Sequence, residues 1–250
     1  MVRNEQVSVT RDEDERVENE NFEIPSSANR KYWDREYAEH NAIPSSNRGD
    51  PSKALIAAQA QLDYESVDIA LDLGCGNGRN AVYLAKQGFN VYALDFSTES
   101  IARTKERIAR SSVGDSIEVL LADVTEGIPF TDNSVDLVVD SYLSCHFLEE
   151  KSLENYFTEI RRVLNTDGQF YWAGLGVEDE YYQNIADSHP ANNVIVDPLN
   201  SIPKKLYDAR NLDVELPYGQ VPALAMELLF QDDVDGDSYQ RSIVSAVFDN

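Results

Sequence analysis

The sequence is poor in cysteine and in long apolar runs, and each scarcity excludes a class of protein. Cys75 and Cys145 are the only cysteines in 250 residues, which excludes a small secreted scaffold held by disulfides. No stretch approaches the roughly 18 apolar residues of a membrane span. The first residues turn acidic at once and offer no apolar signal-peptide core. We therefore expect a soluble, cytoplasmic protein with no membrane partner.

Basic side chains are also scarce. The chain has 21 Lys and Arg residues, of which only seven are lysines, against 45 Asp and Glu residues. Its formal net charge is −24. This charge repels a phosphate backbone at low salt, so a nucleic-acid partner is disfavoured. The carboxylates are spread over the whole chain, which resembles the acidic surfaces of halophilic proteins from salt-accumulating cells. The alternative is an ordinary acidic cytosolic protein.

Composition divides the chain into three regions. Residues 1–28 are rich in charge and poor in large apolar side chains, so we expect an acidic flexible tail. Residues 29–66 are expected to form an N-terminal helical lid, and residues 67–250 the main domain. Within that domain, residues at about 177–205 have no clear period and are interpreted as an insertion. The lid region places three aromatic side chains at helix-face spacing: Tyr32, Trp33 and Tyr37.

Between residues 67 and 170, short β-rich runs alternate with helical stretches, a pattern typical of a parallel sheet covered by helices. The predicted strands are 69–73, 90–94, 117–121, 135–139 and 169–172, and the predicted helices are 79–87, 97–111 and 153–164. Two further β-capable runs, 224–230 and 238–248, flank a turn-rich segment and predict a terminal antiparallel hairpin. In the second helix, the apolar side chains expected to share the buried face are Ile101, Ala102, Ile108 and Ala109.

A glycine-rich turn links the first strand to the first helix of this pattern. Residues 71–80 read LDLGCGNGRN, and glycines at such a turn let a ligand approach the main chain closely. The G-x-G-x-G spacing differs from the dinucleotide fingerprint, and no Gly-Lys-Ser/Thr follows to make a P-loop. The candidate ligand-binding residues of this run are Asp72, Gly74, Cys75, Gly76, Asn77 and Gly78.

Acidic residues follow the next three strands. Asp95 is placed to accept hydrogen bonds from both hydroxyls of a ribose, or else to cap the following helix. Asp123 is placed to hold an adenine amino group while Val124 packs on the ring. Asp140 opens the segment after the fourth strand, which also contains Tyr142. Since ligands of open α/β folds bind at the carboxyl edge of the sheet, we expect these residues around one site.

Together these elements resemble the class I S-adenosylmethionine-dependent methyltransferases. The matching elements, in order, are 71–79, Asp95, 121–124, 130–138 and the helix, turn and strand of 159–170. The resemblance covers about residues 54–173. It implies an α/β fold with a Rossmann-like seven-stranded, mostly parallel sheet, helices on both faces and the antiparallel hairpin at the C-terminus. It also implies S-adenosyl-L-methionine as the cofactor.

The resemblance further implies how that cofactor lies. Its methionine end would lie over the glycine-rich turn, its ribose would bind Asp95, and its adenine would lie beside residues 121–124. The residues given these roles are Gly74, Gly76, Asp95, Phe96, Asp123 and Val124. In methyltransferases of the thiopurine and tellurite-resistance type, an N-terminal Tyr-Trp-Asp segment often folds over the cofactor. Trp33 is therefore a candidate lid, or alternatively it only docks its helix on the core.

Methyl transfer from a sulfonium needs mainly orientation and exclusion of water, so no fixed catalytic residue is required. If the acceptor must lose a proton, His146 is the best-placed base, with Asp140 and Tyr142 assisting; otherwise His146 is structural. Cys145 follows a serine where cytosine C5-methyltransferases have proline, which argues against a nucleophilic thiol. The segment also differs from the base-gripping motif of amino-group DNA methyltransferases. The histidines show no metal-ligand spacing, so we expect no metal.

The acceptor pocket is expected above the sheet edge, between the N-terminal segment, the loop after the fourth strand and the insertion. Tyr181, Tyr182 and His189 are candidates to line it, or equally to pack at the surface. The predicted function is S-adenosylmethionine-dependent methyl transfer to a small-molecule acceptor. The alternatives are a protein or RNA acceptor, or a non-catalytic cofactor-binding or interaction module. The sequence leaves the acceptor and the oligomeric state open.

Overall fold

A computed structural model describes residues 26–39, 47–62, 68–185, 193–197, 199 and 201–250. The predicted acidic tail lies outside these residues, apart from 26–28, which are helical instead and begin the first helix. His189 also lies outside them.

Helices and strands alternate through the described chain, and most predicted elements are present within a few residues. The helices are α1 Ser26–Glu39, α2 Lys53–Ala58, α3 Arg79–Lys86, α4 Thr98–Ala109, α5 Glu150–Val163, α6 Glu180–Ile185 and α7 Leu212–Glu215. The strands are β1 Ile69–Leu73, β2 Asn90–Asp95, β3 Ile117–Leu121, β4 Val135–Ser141, β5 Leu164–Gly176, β6 Val194–Val196, β7 Pro203–Tyr207, β8 Leu224–Val234 and β9 Asp237–Asp249.

The strands form one sheet, in which β3, β2, β1, β4 and β5 lie side by side and parallel. The antiparallel hairpin β8–β9 continues the sheet through β9 on β5. The predicted fold class is therefore confirmed, but the strand count was too low. A short ribbon, β6 with β7, pairs with the last two residues of β5 and lies mostly in the predicted insertion. The irregular apolar spacing of that segment gives no strand pattern.

The two faces of the sheet bury separate apolar clusters. Leu71 and Leu73 of β1 pack with α5, whereas Ala70 before them packs with α2 and α3. Alternation of this kind is what a strand covered on both faces requires, since successive side chains point in opposite directions. The sheet is thereby fixed from both sides.

The register of the sheet places the carboxyl ends of neighbouring parallel strands side by side. Leu73 of β1 lies opposite Leu94 of β2 and Asp140 of β4. Asp95 at the end of β2 lies opposite Leu121 of β3. The segments that follow β1, β2, β3 and β4 therefore leave the sheet at one edge, as the sequence predicted.

Two local predictions were wrong. In α4, Ala102 and Ala109 are exposed, while the polar Ser100 and Thr104 are fully buried. In the terminal hairpin, the turn is confined to Asp235 and Gly236, both with positive φ. This two-residue geometry suits an antiparallel hairpin, so the acidic residues before it extend β8 instead of forming a loop.

None of the helices in the described ranges combines the length and the apolar character needed to cross a bilayer.

Candidate functional site

A cavity of about 760 Å³ opens at the carboxyl edge of the sheet. Most of the predicted site residues line it: Trp33, Gly74, Cys75, Gly76, Asn77, Asp95, Phe96, Asp123, Val124, Tyr142 and His146. Asp72, Gly78 and Asp140 are not among the lining residues. The cavity extends from the segments after β2 and β3, across the end of β4, to residues beyond β5.

The glycine loop, residues 74–78, forms the floor of one end. Gly74 and Gly76 have φ of +65° and +59°, a region that side chains disfavour. A Cβ on Gly74 would lie 3.0 Å from the Leu143 side chain, and one on Gly76 would collide with the hydroxyl of Tyr37. Glycine is therefore required at both positions by conformation and by space.

Side chains of α4 hold the glycine loop from behind. The hydroxyls of Ser100 and Thr104 both donate to the carbonyl oxygen of Gly76, at 2.6 and 2.8 Å. Arg107, one turn further, donates to the carbonyl oxygens of Asn77, Gly49 and Arg48. Sequence reasoning missed these three residues. Their i, i+4, i+7 spacing was visible, but the apolar pattern assigned that face to solvent.

Asp95 lies beside the loop at the end of β2. Its Oδ2 accepts the backbone N–H of Gly76 at 3.0 Å, and its Oδ1 accepts that of Ser97 at 2.9 Å. Burial raises the pKa of this carboxyl, although these N–H donors oppose the shift. Asp95 therefore both shapes the turn, which the sequence offered as its alternative role, and lines the cavity.

Asp123 lies across the same end of the cavity, after β3. Its Oδ1 accepts the N–H and the hydroxyl of Thr125, at 3.1 and 2.6 Å. Val124 beside it is buried. Phe96 completes this end, and the guanidinium of Arg30 lies 5.7 Å from its ring centroid. An apolar slot flanked by two carboxylates suits a purine and its ribose.

Asp72 and Gly78 flank the lining residues of the loop but do not line the cavity themselves. Gly78 has positive φ and precedes α3 as its N-cap. Asp72 is 1% exposed, and its Oδ2 has no hydrogen-bond partner among the described residues. Burial raises the pKa of Asp72 to about 7, although the nearby Arg79 opposes the shift.

Asp140 organises the loop after β4. Its carboxylate accepts the N–H groups of Leu143 and Ser144 and the hydroxyl of Tyr156. The indole N–H of Trp172 donates to the Ser144 hydroxyl at 2.8 Å. These bonds hold Leu143 against Gly74. Asp140 therefore positions a loop of the cavity. The sequence had predicted that it would contact the ligand, but it does not line the cavity.

Tyr142 lies in the same loop and faces the cavity. Its φ of +70° is unusual for a residue with a side chain. Its hydroxyl lies 3.5 Å from the hydroxyl of Ser52, at the start of α2. The ring that this turn holds is part of the cavity lining.

Helix α1 covers the cavity. Asp34 accepts hydrogen bonds from the hydroxyl of Ser97 at 2.7 Å and the N–H of Glu99 at 3.4 Å, which docks α1 on the N-terminus of α4. Trp33 stacks on Tyr37 with centroids 6.0 Å apart and meets the His146 ring edge-on at 5.2 Å. Both Trp33 and Tyr37 line the cavity, so α1 occupies the position of a lid.

His146 is held between Trp33 and β7. Its Nδ1 lies 3.5 Å from the carbonyl oxygen of Pro203. Burial and the nearby Lys204 ammonium lower the pKa of His146 to about 3. A histidine with this pKa is neutral at pH 7 and a weak base, so its surroundings favour the structural role.

The opposite end of the cavity is the far wall, formed by Asp179, Tyr182, Lys204 and Arg241. Arg241 donates to Asp179 at 2.8 Å, and Lys204 donates to Asp197 at 3.1 Å. Both cations lie against the Tyr182 ring, at 5.2 Å for the Arg241 guanidinium and 5.5 Å for the Lys204 ammonium. Tyr182 thus lines the cavity as one alternative had it. Tyr181 lies behind it, donating to Asp197.

The sheet order, with a glycine loop after β1 and aspartates after β2 and β3, is that of a Rossmann-like α/β fold. Residues 71–172 match the family model of the methyltransferase domain. The matched segment runs from β1 to β5.

Similar proteins carry the same fold. The chain is 30% identical over 115 residues to an uncharacterized methyltransferase of Synechocystis sp., covering 44% of this chain and 50% of that protein. A structure solved in a study of disulfide-to-thioacetal conversion in echinomycin biosynthesis has a TM-score of 0.67 at 21% identity, covering 88% of this chain and 92% of the other.

A further solved structure holds ligands. It is the 1,6-didemethyltoxoflavin-N1-methyltransferase of Burkholderia thailandensis with bound 1,6-didemethyltoxoflavin and S-adenosylhomocysteine. It has a TM-score of 0.63 at 15% identity, and the match covers 90% of this chain and 89% of that one. The chain spans half or less of the length of the first curated relatives it matches.

Proposed function

We propose that this protein is an S-adenosyl-L-methionine-dependent methyltransferase that transfers a methyl group to a small-molecule acceptor. The observation that carries the proposal is the meeting of the glycine loop with Asp95 and Asp123 at one end of a single cavity. The methyltransferase-domain match and the toxoflavin enzyme with its bound S-adenosylhomocysteine support it.

The residues of this end fit the cofactor. Gly74 and Gly76 line the cavity with main chain and have no Cβ, so the methionine moiety would lie against them beside Leu143 and Tyr37. The Asp95 carboxylate is oriented by the N–H groups of Gly76 and Ser97 and lines the cavity, where it would accept hydrogen bonds from the ribose hydroxyls. Asp123 would hold the adenine amino group.

S-adenosylmethionine supplies, when bound, a sulfonium methyl group that an acceptor's lone pair displaces. The chain's own residues then have to orient the acceptor and exclude water. We propose that residues 29–66 act as a lid on the domain of residues 67–250, with Trp33 and Tyr37 of α1 closing the cavity over Gly76. His146 orients Trp33 through its edge contact.

A small molecule is the acceptor that the cavity suits best. A volume of about 760 Å³ lies within the usual range of small-molecule sites. The net charge of −24 opposes an RNA acceptor at low salt. A protein acceptor would have to reach the cofactor past Trp33 and Tyr37 of α1, which line this cavity.

The proposal is tested by titration calorimetry with S-adenosylmethionine and S-adenosylhomocysteine in molar KCl. We expect binding of both at micromolar concentration, followed by transfer of a labelled methyl group to a member of an acceptor library. A folded protein that binds neither compound would contradict the proposal and favour the non-catalytic alternative.

We further propose that the protein is cytoplasmic and adapted to concentrated salt, because its excess of carboxylates is a cost in dilute buffer. The melting temperature should then keep rising between low and molar KCl, beyond the range in which the Debye length changes most. A melting temperature independent of KCl would contradict this adaptation.

A further inference from the structure

The far wall carries an unusual concentration of buried positive charge for this chain. The cavity lining has five cationic and six acidic side chains, whereas the whole chain has 21 and 45. Two of the five, Lys204 and Arg241, are 4% and 8% exposed. The acidic excess of the chain is thus almost absent inside the cavity.

Lys204 belongs to a buried ion pair in the cavity wall, and its ammonium donates to Asp197 at 3.1 Å. Lys204 lines the cavity, but its partner Asp197 does not. Asp197 lies behind it, where it also accepts the hydroxyl of Tyr181 at 2.9 Å. Both side chains of the ion pair are 6% exposed. A buried pair of this kind usually stabilises a fold no better than apolar residues would, so its place in a cavity wall indicates a role in binding.

The groups around Lys204 come from three neighbouring elements. They are Asp197 after β6, Tyr182 of α6, and Cys145 and His146 after β4. Burial opposes the charge of Lys204, but Tyr182 and Asp197 outweigh it, and the pKa of Lys204 is raised. At neutral pH the ammonium therefore stays charged.

The neighbouring groups show the effect of this cation. It adds to burial in lowering the pKa of His146, and it opposes burial at the thiol of Cys145. Burial still prevails at the two native acids beside Lys204, since the pKa of the Cys145 thiol is raised to about 12 and the pKa of the buried Tyr182 phenol is also raised. A phenol bound in the open cavity is less buried than either group, so there the cation would favour its anionic form. The cavity that Lys204 lines has several rings in its wall: Trp33, Tyr142, His146, Tyr182 and Phe230.

We propose that the methyl acceptor is a planar aromatic molecule with an acidic hydroxyl, which binds as its anion beside Lys204, with Arg241 supporting the charge. The inference rests on the proposed function, whose acceptor it specifies. The acceptor's proton leaves to bulk water on binding, so no side chain has to remove it. This accounts for a site in which His146 is a poor base.

The test uses 4-nitrophenol, which absorbs visible light only when ionised, so that its bound pKa is read directly. The probe is titrated into the whole protein in molar KCl, with and without S-adenosylhomocysteine, over a pH series. The bound probe should have a pKa about one unit below that of the free probe, which is a tenfold shift toward the anion. The uncharged isostere 4-nitroanisole should bind more weakly than the anion.

Lys204→Met should abolish the pKa shift, and Lys204→Arg should keep it. Lys205→Met is the matched control, because Lys205 is the next residue of β7 but donates to the Glu215 carbonyl and does not line the cavity. Its probe pKa should equal that of the unchanged protein. If Lys204→Met does not fold, the double variant Lys204→Met/Asp197→Asn removes both charges of the pair and should also lack the shift.

A bound pKa at or above the free value, a shift that persists without Lys204, or failure of the probe to bind would each overturn the inference. Absence of S-adenosylhomocysteine binding would instead overturn the proposed function, because the ionisation of the probe at Lys204 is read independently of the cofactor.

Discussion

The two ends of the cavity are built in different ways. At the glycine loop the ligand-facing surface is main chain, and side chains such as Ser100 and Thr104 hold it from behind. At the far wall the surface is made of side chains, and the charges of Lys204 and Arg241 are compensated by carboxylates. A main-chain surface tolerates almost no substitution, whereas a side-chain surface can change its specificity residue by residue. The first end therefore suits a fixed cofactor and the second a particular acceptor.

The largest effect is expected from Gly76→Ala. An alanine at this position would have to adopt a φ of +59°, and its Cβ would collide with the Tyr37 hydroxyl. Cofactor affinity should therefore fall by about 100-fold or more. Calorimetric titration of S-adenosylhomocysteine measures this loss.

Gly236→Ala is the matched control. Gly236 also has positive φ, but a Cβ at this position would meet open space, and the residue lies in the β8–β9 turn away from the cavity. This variant should lose stability while keeping its affinity. Equal affinities of the two alanine variants would contradict a main-chain cofactor surface.

Asp95→Ala should have the next largest effect. Loss of hydrogen bonds between a carboxylate and the ribose should weaken cofactor binding by about 1.5–3 kcal/mol, or roughly 10- to 150-fold. The far wall should be unaffected, so the pKa of bound 4-nitrophenol should not change. Unaltered cofactor affinity in a folded Asp95→Ala protein would exclude this residue from the site.

Arg107→Met should have a smaller effect on the same end. Arg107 holds the glycine loop to residues 48 and 49 through three main-chain carbonyls, so cofactor affinity should fall by about three- to tenfold. Arg110 is the control, because it lies on the exposed end of the same helix and pairs only with Glu106 at 3.6 Å among the described residues. Equal affinities of Arg107→Met and Arg110→Met would contradict the positioning role.

The last expected effect is on stability and not on ligand affinity, and it depends on pH. Because burial raises the pKa of Asp72 to about 7, the folded state holds this proton more tightly than the unfolded state does. The stabilisation is complete below about pH 4 and is lost as the pH rises toward 7, at about 1.4 kcal/mol for each pH unit of that interval. Urea unfolding at pH 5 and pH 8 should show that Asp72→Asn loses less free energy of unfolding between the two pH values than the unchanged protein does. An identical loss of stability in both proteins would mean that a group other than Asp72 causes the pH dependence.

The difference between the two ends also decides what the sequence can predict. Glycines and aspartates after successive strands form a local pattern, and this pattern alone places Gly74, Gly76, Asp95 and Asp123 at one edge of the sheet, where they line the cavity. The far wall has no such pattern. Lys204 and Arg241 come from β7 and β9, and only the pairing of both strands with β5 brings them to one cavity.

Burial explains the remaining errors. Asp140 was placed against the ligand because it follows a strand, but its carboxylate is consumed by the turn that it stabilises. Ser100 and Thr104 were missed because polar residues on a helix usually face water, and here they satisfy a carbonyl of the glycine loop. In both cases the side chain binds a buried main-chain group. A pattern of side-chain types does not show such groups, so it could not predict the role of these residues.

The most direct test of the two-ended cavity is a crystal structure with S-adenosylhomocysteine and 4-nitrophenol bound together. We expect the nucleoside between Asp95 and Asp123, the homocysteine against Gly74 and Gly76, and the phenolate oxygen next to the Lys204 ammonium. A nucleoside bound at the far wall, or a phenolate directed away from Lys204, would contradict the division of the cavity into a cofactor end and an acceptor end.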